Sequence, residues 1–303
     1  MRTMPRVDDE ASEVGEAGVW EVGERLDGAR LDRAVAELAG VSTAAARRAI
    51  EQGRVRVDGR AAAKGAAVRA GQRVEVAGAV DDRAEPPRAW AGHGLTTLAE
   101  GPGWVAIDKP AGVAVHPLGV GQDRTLLNAV AADRPGVVGV GEGGLRSGVV
   151  HRLDVPTSGV VVFATEQATW ERLRAAFAEH RVEKRYAAVV HGEVVQDAAE
   201  VRLRLAVRAH RPARVGVVGP GEAGYDCSLA YRVVERRGGR TLLDVDLHTG
   251  FLHQVRVTMA HLGHPVVGDA DYGVADGAER LMLHAERVAA GDVAALSAAP
   301  FRL

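Results

Sequence analysis

The residues best suited to chemistry lie in the segment Val149–Gly159 of this 303-residue chain, where an apolar run is followed by charged side chains. The run predicts a strand that ends at a turn near Pro156. Side chains two positions apart on a strand share a face, so Arg152 and Asp154 are expected to point the same way. A carboxylate beside a guanidinium is ionised at neutral pH and can act as a nucleophile or a base. Taken alone, the two residues fit a structural ion pair at a turn about equally well.

Two later segments carry further candidates. Glu183–Val190 predicts a strand with Tyr186 near its polar start, a position that also suits an ordinary residue at the edge of a core. Thr249–His264 begins at a turn and continues as a helix, on which His253 and Arg256 lie beside an apolar stripe. Such a helix can pack inward and still present an arginine to a cleft.

The elements that must position these residues predict an α+β fold. Short β-rich runs occur at Trp104–Ile107, Val160–Phe163 and Leu242–Leu247, and helical patterns cover residues 166–180 and 251–262. The strands do not alternate regularly with long helices. The pattern therefore favours a mixed, mostly antiparallel sheet over a doubly wound parallel one.

Charge divides the chain into parts of different character. Residues 1–24 carry two basic and seven acidic side chains without periodicity, so we expect a disordered acidic leader outside any core. Residues 25–80 carry eleven basic and six acidic side chains, a net charge of +5 that indicates a polyanionic partner. A proline-containing linker over residues 79–92 separates a small basic domain, 25–78, from a catalytic domain, 93–303.

The small basic domain predicts two helices followed by a small sheet. After a first helical pattern, a second helix starts at Ser42 or Thr43, both good N-caps, and ends at Gly53. The alternating run that follows enters a hairpin at Asp58–Gly59, and Val74–Val76 closes the sheet. The domain therefore has an ααβ order.

This small domain resembles the RNA-binding domain named after ribosomal small-subunit protein four. The similarity starts at Arg30-Leu31-Asp32, continues through Ala45–Gly59 and ends at Gly71–Val76. A single charge run is more often a solvated helix face, but the excess of basic residues across the whole domain favours RNA. The basic side chains expected to contact RNA are Arg47, Arg48, Arg54, Arg56 and Lys64.

The larger domain resembles the pseudouridine synthase family that includes the bacterial RluA- and RluD-type enzymes. The motifs that carry the resemblance, in the family's order, are Ala106–Val113 with His116-Pro117, His151–Gly159, Lys184–Tyr186, Thr249–Arg256 with Gly263–Pro265 and Gly268-Asp269, and Leu283–Ala285. The resemblance implies the pseudouridine synthase fold. It also implies that the protein isomerises specific uridines to pseudouridine in structured RNA, with large-subunit ribosomal RNA favoured.

The same resemblance implies roles for individual residues. Asp154 matches the essential aspartate, Tyr186 the tyrosine that packs against the target base, and Arg256 the basic partner of the aspartate. Arg152 matches the arginine that can fill the gap left by a flipped nucleotide. Further residues in the motifs are expected to contact substrate RNA: His151, Thr157, Lys109, His116, Lys184, His253 and Gln254.

Two departures from the family pattern bear on these roles. Phe251-Leu252 stands where many relatives have an arginine followed by threonine or serine, so an RNA contact made by that arginine is absent or replaced. Pro156 stands where an acidic or small residue is common, which changes the local turn but leaves Asp154 and Thr157 in place.

The reaction requires neither redox change nor hydrolysis, so we expect no cofactor and no metal. Four histidines, at positions 248, 253, 261 and 264, raise the alternative of a metal hydrolase, but they lack the His-x-x-x-His spacing of a zinc helix. Cys227 is the single cysteine, so thiol redox chemistry is not expected. The sequence leaves open whether Asp154 attacks the ribose, attacks the base or removes a ribose proton.

Other functions remain as alternatives. The chain could be a non-catalytic RNA-binding or ribosome-associated protein, or a pseudouridine synthase acting on transfer RNA. The first twenty residues show no signal-peptide pattern, and no apolar run reaches the length of a membrane span. We therefore expect a cytoplasmic monomer whose partner is RNA and not a membrane.

Overall fold

A computed structural model describes most of the chain and divides it after Glu85 into two compact units, residues 1–85 and 86–303. The described residues are 14–15, 18–41, 43–63, 65–78, 80–81, 86–119, 121–210, 212–219, 221–274 and 276–303. Within them, none of the helices combines the length and apolarity needed to cross a membrane.

The first unit contains two helices and a small antiparallel sheet with the strand order β2-β5-β3-β4. A separate pair is formed by β1 and β6. In chain order the elements are β1 (Val14–Gly15), β2 (Gly18–Glu21), a 3-10 turn (Glu24–Leu26), α1 (Leu31–Ala39), α2 (Thr43–Glu51), β3 (Val55–Val57), β4 (Arg60–Ala61), β5 (Arg73–Val76) and β6 (Val80–Asp81).

The turn residues account for these boundaries. Gly53 has φ +70° just beyond α2, where a left-handed conformation ends a helix and favours glycine. Asp58 and Gly59 both have positive φ, as a two-residue hairpin turn between β3 and β4 requires. The predicted order of two helices and a small sheet is confirmed, and Ser42, one of the two predicted caps, lies outside the described residues.

The predicted disordered leader is wrong for residues 18–24. Gly18–Glu21 pairs in register with Arg73–Val76, and Val22 is buried in the core of this unit. The alternating Val19, Trp20 and Glu21 supply a strand that the acidic composition of the segment concealed. The prediction also fails at Val14–Gly15, which pair with Val80–Asp81. Residues 1–13, 16 and 17 lie outside the described part of the chain.

The second unit is built on a large mixed sheet and confirms the predicted α+β class. Its elements are β7 (Thr97–Gly101), β8 (Trp104–Lys109), α3 (Leu126–Asp133), 3-10 turns (Pro135–Val137 and Gly144–Arg146), β9 (Ser158–Ala164), α4 (Gln167–Ala178), β10 (Glu183–His191), β11 (Ala198–His210), β12 (Ala213–Val217), β13 (Tyr225–Arg237), β14 (Arg240–Leu247), α5 (Gln254–His261), β15 (Leu283–Ala290) and β16 (Val293–Leu296).

The strand order β12-β11-β13-β14-β10-β15-β9-β8-β7 brings the predicted site segments to the middle of the sheet, and β16 pairs with β15. All described strand pairs of this sheet are antiparallel except β9 with β15. Consecutive residues of β9 pack on opposite faces: Val161 and Phe163 join a core with Met259 of α5, whereas Val160 and Val162 join a core with Leu173 of α4. Because both faces are covered, β9 is buried along its whole length.

Candidate active site

Asp154 lies in a loop that leads into β9, and not at the end of a strand as predicted. Apart from a bridge between Val149 and Phe163, the segment before Ser158 has no strand pairing. The apolar residues Val150 and Leu153 are nevertheless buried, so the hydrophobic run reflects a buried loop. The argument that Arg152 and Asp154 share a face required a strand and does not apply here, although both residues line the same cleft.

Lys109, the last residue of β8, anchors the loop that carries Asp154. The Lys109 side chain is fully buried, and its ammonium donates to the carbonyls of Val113 at 2.7 Å, Pro110 at 3.0 Å and Val155 at 3.0 Å. The backbone N–H of Gly112 donates to the same Val155 carbonyl at 2.8 Å. Lys109 thus fixes the residue next to Asp154, and the predicted contact with RNA is wrong because its ammonium has no exposed surface.

Burial lowers the pKa of Lys109 to about 7, with the charge of Asp154 opposing the shift and that of Arg280 adding to it. A neutral amine has two N–H donors, whereas three carbonyls surround this nitrogen. The three hydrogen bonds therefore favour the protonated form, and the ammonium is the form that holds the loop.

Arg256 is presented to Asp154 from the first turn of α5. Its Nη1 lies 3.4 Å from Oδ2 of Asp154, joining residues 102 positions apart in the sequence. The rest of the guanidinium donates to Asp269 through Nε at 2.8 Å and Nη2 at 2.7 Å, and to Asp271 through Nη2 at 2.8 Å. The predicted pair of Asp154 and Arg256 is therefore present, within a set of three carboxylates.

The electrostatics of this set follow from its burial. Burial alone would lower the pKa of Arg256, but the hydrogen bonds and charge of Asp269, with those of Asp271 and Asp154, raise it above its usual value. Asp269 is 1% exposed, so the bidentate pair with Arg256 is shielded from solvent. Arg256 is consequently a permanent cation with a fixed orientation, and it faces Asp154 with one remaining nitrogen.

Tyr186 and His253 complete the surroundings of Asp154. Tyr186, on β10, is 9% exposed, and burial first and the Asp154 charge second raise its pKa, so the phenol stays neutral. His253 Nε2 lies 3.9 Å from Oδ1 of Asp154, and its Nδ1 lies 2.7 Å from the hydroxyl of Tyr272. Burial lowers the pKa of His253, with the charge of Asp154 opposing this shift. The imidazole is therefore neutral at neutral pH.

A cleft of about 490 Å³ opens above Asp154. Its lining includes all three predicted catalytic residues, and it is large enough for a nucleoside. Arg152 is exposed at this cleft. Of the predicted RNA contacts in the larger domain, those that line it are His151, Arg152, Thr157, Lys184, His253 and Gln254.

Several of these lining residues also have structural partners. His151 Nε2 accepts the backbone N–H of Val162 at 2.9 Å, and burial lowers its pKa to about 3, so the ring is neutral. Lys184 is 8% exposed and donates to the carbonyl of Thr249 at 2.8 Å, and burial lowers its pKa to about 8. Gln254 is also buried, and its amide donates to the carbonyl of Ser228 at 3.0 Å. Lys184 and Gln254 thus hold the cleft wall, which leaves little of either side chain for RNA.

His116 and Thr157, which were both predicted to contact RNA, are buried. His116 lies outside the cleft lining, is 8% exposed, and has its pKa lowered to about 4 by burial, with the charges of Arg146 and Arg152 adding to the shift. Burial leaves little of the His116 side chain for the predicted RNA contact. Thr157 is 2% exposed, and its hydroxyl has no hydrogen-bond partner among the described residues.

The predicted RNA-binding arginines of the first unit are partly engaged within that unit. Arg47 Nε lies 2.6 Å from Oδ2 of the buried Asp32, and about half of the Arg47 side chain is exposed. Arg54 donates to the backbone carbonyls of residues 77 and 78, both at 2.9 Å. Arg56 on β3 is exposed, and Arg48 is half-buried. Lys64, the remaining residue of that prediction, lies outside the described residues.

The segment that contacts Arg256 was missed as a site. Asp269, Asp271 and Tyr272 follow the Gly268 turn and have no regular secondary structure. A buried arginine requires carboxylate partners, which was the available signal. Among the described residues, no group of three or more His, Cys, Asp or Glu side chains has the arrangement of a metal site.

Comparisons with known proteins identify a family for each of the two parts of the chain. A family described as RNA pseudouridylate synthase matches residues 103–261, and the S4 domain family matches residues 29–74. A protein named uncharacterized RNA pseudouridine synthase from Mycobacterium bovis is 34% identical over 277 residues, covering 87% of this chain and 86% of that protein. The ribosomal large subunit pseudouridine synthase D of Pseudomonas aeruginosa is 38% identical over 169 residues, covering 56% of this chain and 50% of that protein.

The chain thus spans about half the length of several curated relatives that it matches. Among solved structures, human RNA pseudouridylate synthase domain containing 1 has the same fold, with a TM-score of 0.59 at 23% identity, covering 71% of this chain and 87% of that one. The family match covers more than half of the chain and contains Asp154 and Arg256. This chain therefore belongs to the RNA pseudouridylate synthase family and carries an S4 domain ahead of the synthase region.

Proposed function

We propose that this protein is an RNA pseudouridine synthase in which Asp154 is the catalytic carboxylate. The observation that carries the proposal is the pair of Asp154 and Arg256 at 3.4 Å, inside a cleft of nucleoside size, in a chain of this family. The S4 domain in the first unit supports RNA as the substrate.

The reaction breaks the bond between N1 of the uracil and C1′ of the ribose, rotates the base and joins C5 to C1′. The proton on C5 is lost and N1 gains one, so atoms and oxidation state balance within the nucleotide and solvent. Asp154, with a 19% exposed side chain, can serve this reaction by attack on the ribose, attack on the base or removal of a ribose proton. Arg256 keeps the carboxylate oriented in each of these routes.

A stacked uridine is out of reach of a carboxylate at the base of a cleft, so the nucleotide must be flipped out. Flipping costs a few kcal/mol, and stacking of the uracil on Tyr186 contributes roughly 1–3 kcal/mol against that cost. The exposed Arg152 at the cleft is available to fill the space that the base leaves. Tyr186 stays neutral because its pKa is raised, so it offers the base an uncharged ring.

We propose large-subunit ribosomal RNA as the favoured substrate. The support is the similarity to proteins named ribosomal large subunit pseudouridine synthase D, at 38% identity. Such a substrate would place the reaction in the cytoplasm.

The test uses the full-length protein with unmodified ribosomal RNA and unmodified transfer RNA. New pseudouridines are mapped by adduct sequencing after incubation with the wild type, with Asp154→Asn and with the control Asp197→Asn. Asp197 is 87% exposed and pairs with Arg236 at the surface, so its substitution should leave activity unchanged. We expect sites in ribosomal RNA with the wild type and the control only.

Each other outcome has a definite meaning. Sites confined to transfer RNA would make transfer RNA the substrate in place of ribosomal RNA, and the proposed activity would stand. Sites made by Asp154→Asn as fast as by the wild type would refute the catalytic role. No sites with any form, despite RNA binding, would identify a non-catalytic RNA-binding protein.

A further inference from the structure

Two aromatic side chains form one wall of the cleft. Tyr225 begins β13 and Phe251 precedes α5, and their ring centroids are 5.0 Å apart at an interplanar angle of 34°. Phe251 packs against a small core that includes Leu205 and Val257. Tyr225 is 67% exposed and is the one mostly exposed ring among the described Phe, Trp and Tyr residues. An anchored ring thus supports a ring that presents most of its surface to solvent.

A second groove of about 410 Å³ adjoins the cleft at the start of β13, where both are lined by Asp226 and Cys227. Arg202 and Arg204, on β11, also line this groove. Arg204 pairs with Asp226 and Leu205 pairs with Tyr225, so the Arg204 side chain lies on the face of the sheet opposite that of Tyr225. Arg202 donates to Glu200 at 2.8 Å, whereas Arg204 has no ion-pair partner among the described residues. The Arg204 guanidinium makes one long hydrogen bond of 3.4 Å to the carbonyl of Gly224. Arg204 is therefore the cation of this groove that is available to a ligand.

The arginines that line the cleft and the groove indicate the kind of ligand that fits there. The cleft beside the aromatic pair is lined by Arg152 and Arg174 and by Arg146, which pairs with Glu142 at 2.8 Å, and the adjoining groove adds Arg204. A ligand that passes around the start of β13, from the cleft into the groove, meets an exposed aromatic face and then a guanidinium. A single-stranded nucleic acid has this alternation of flat base and anionic phosphate.

We propose that Tyr225, supported by Phe251, stacks against the unpaired nucleobase next to the nucleotide bound at Asp154, and that Arg204 contacts a phosphate of the same strand. This subsite rests on the proposed function, because the strand enters it from the catalytic cleft. Stacking on a ring accepts any base, so the subsite orients the strand and does not read its sequence. Asp226 lies opposite Arg204 in the strand register and weakens the attraction for phosphate.

The binding test needs no turnover. The probe is a short single-stranded oligouridylate with one 2-aminopurine beside the central uridine, whose fluorescence falls when it stacks on a ring. The full-length wild type is compared with Tyr225→Ala, with Tyr225→Phe, which retains the ring, and with Val195→Ala, a control at a 90% exposed position outside the cleft. Tyr225 is exposed, so its substitution leaves the core intact.

Tyr225→Ala is expected to raise the dissociation constant about 5- to 150-fold, the range that corresponds to ~1–3 kcal/mol of base stacking, and to abolish the fluorescence change. Tyr225→Phe and Val195→Ala should bind like the wild type. Unchanged binding by Tyr225→Ala overturns the subsite, as does a loss with Tyr225→Phe equal to that with Tyr225→Ala. Failure of the wild type to bind the probe also overturns it.

The phosphate contact is tested by salt dependence. Arg204→Gln should lower the slope of log K against log salt concentration by about 1, and Asp226→Asn should strengthen binding at low salt. Equal slopes for the wild type and Arg204→Gln would remove Arg204 from the subsite. Pseudouridine formation is measured separately on each variant. A wild type that binds the probe but forms no pseudouridine refutes the proposed function and leaves the binding result standing.

Discussion

Removal of the Asp269 carboxylate should be the most damaging single change near the active site that leaves Asp154 and Arg256 in place. Asp269→Asn keeps the shape of the side chain but replaces one acceptor oxygen by an NH2 group that faces the guanidinium. The bidentate contact at 2.7 and 2.8 Å is thereby halved, and Arg256, which is 2% exposed, loses its solvent-shielded counter-charge. Breaking a buried pair in this way costs about 3–5 kcal/mol.

Asp271→Asn is the matched control. It removes a carboxylate that contacts the same Arg256 at 2.8 Å, but the Asp271 side chain is 33% exposed and also pairs with Arg214. Water can replace that contact, so we expect a loss of less than about 1 kcal/mol. The free energy of unfolding is measured by urea titration with tryptophan fluorescence, which reports mainly on the second unit because three of the four tryptophans lie there.

Measuring pseudouridine formation distinguishes a loss of the Arg256 orientation from a loss of protein stability. Asp269→Asn should lose pseudouridine formation even under conditions where it remains folded, because Arg256 no longer faces Asp154 in one orientation. The double variant Arg256→Met with Asp269→Leu removes both buried charges and should regain much of the lost stability while remaining inactive. Equal stability and equal activity of Asp269→Asn and Asp271→Asn would refute the reasoning, since it depends on the difference in burial.

Two further outcomes follow from the structure. The hydrogen bond from Arg30, with further support from Arg47, lowers the pKa of Asp32 to about 2, so its stabilisation of the first unit is present above the usual pKa of 3.8 and lost as the pH falls toward 2. The difference in unfolding free energy between the wild type and Asp32→Asn should be constant above about pH 5 and shrink below it, and a difference that persists at pH 2 would contradict this assignment. Gly159→Ala should prevent stable folding of the second unit, because an added Cβ would overlap the backbone of Ala285 in the paired strand. The control Gly263→Ala has open space around it and should lower the free energy of unfolding, measured by thermal unfolding, by only about 1 kcal/mol. Similar losses of stability for both variants would be inconsistent with the close approach of Gly159 to Ala285.

The sequence predicted the elements better than the positions of side chains. Strands with strong β patterns were found within a few residues, as at Leu242–Leu247, which is Arg240–Leu247 in the structure. The run at Val149–Gly159 was assigned wrongly because a buried loop and a buried strand have the same apolar composition. The pairing of Asp154 with Arg256 came from resemblance to a family, since no local pattern joins residues that far apart in the chain.

Long side chains account for most of the errors at the site. Lys109 and Lys184 lie in motifs of the family, and a lysine in such a motif is compatible with either an RNA contact or a backbone anchor. The choice depends on where the ammonium ends, which is set by the fold. In both residues it ends among backbone carbonyls, which explains why motifs next to the catalytic residues contain buried cations.

The three carboxylates make different contacts with Arg256, and this difference explains how Asp154 can be both oriented and reactive. Asp269 takes two of the guanidinium's hydrogen bonds and Asp271 a third, so the orientation of Arg256 does not depend on Asp154. The remaining contact with Asp154 is single and long, at 3.4 Å, and leaves most of the carboxylate's lone pairs open to the cleft. A bidentate pair between Arg256 and Asp154 would hold the carboxylate more firmly but would occupy the oxygens that must react. The buried aspartates therefore let Arg256 act as a fixed positive charge toward a carboxylate that remains available to the substrate.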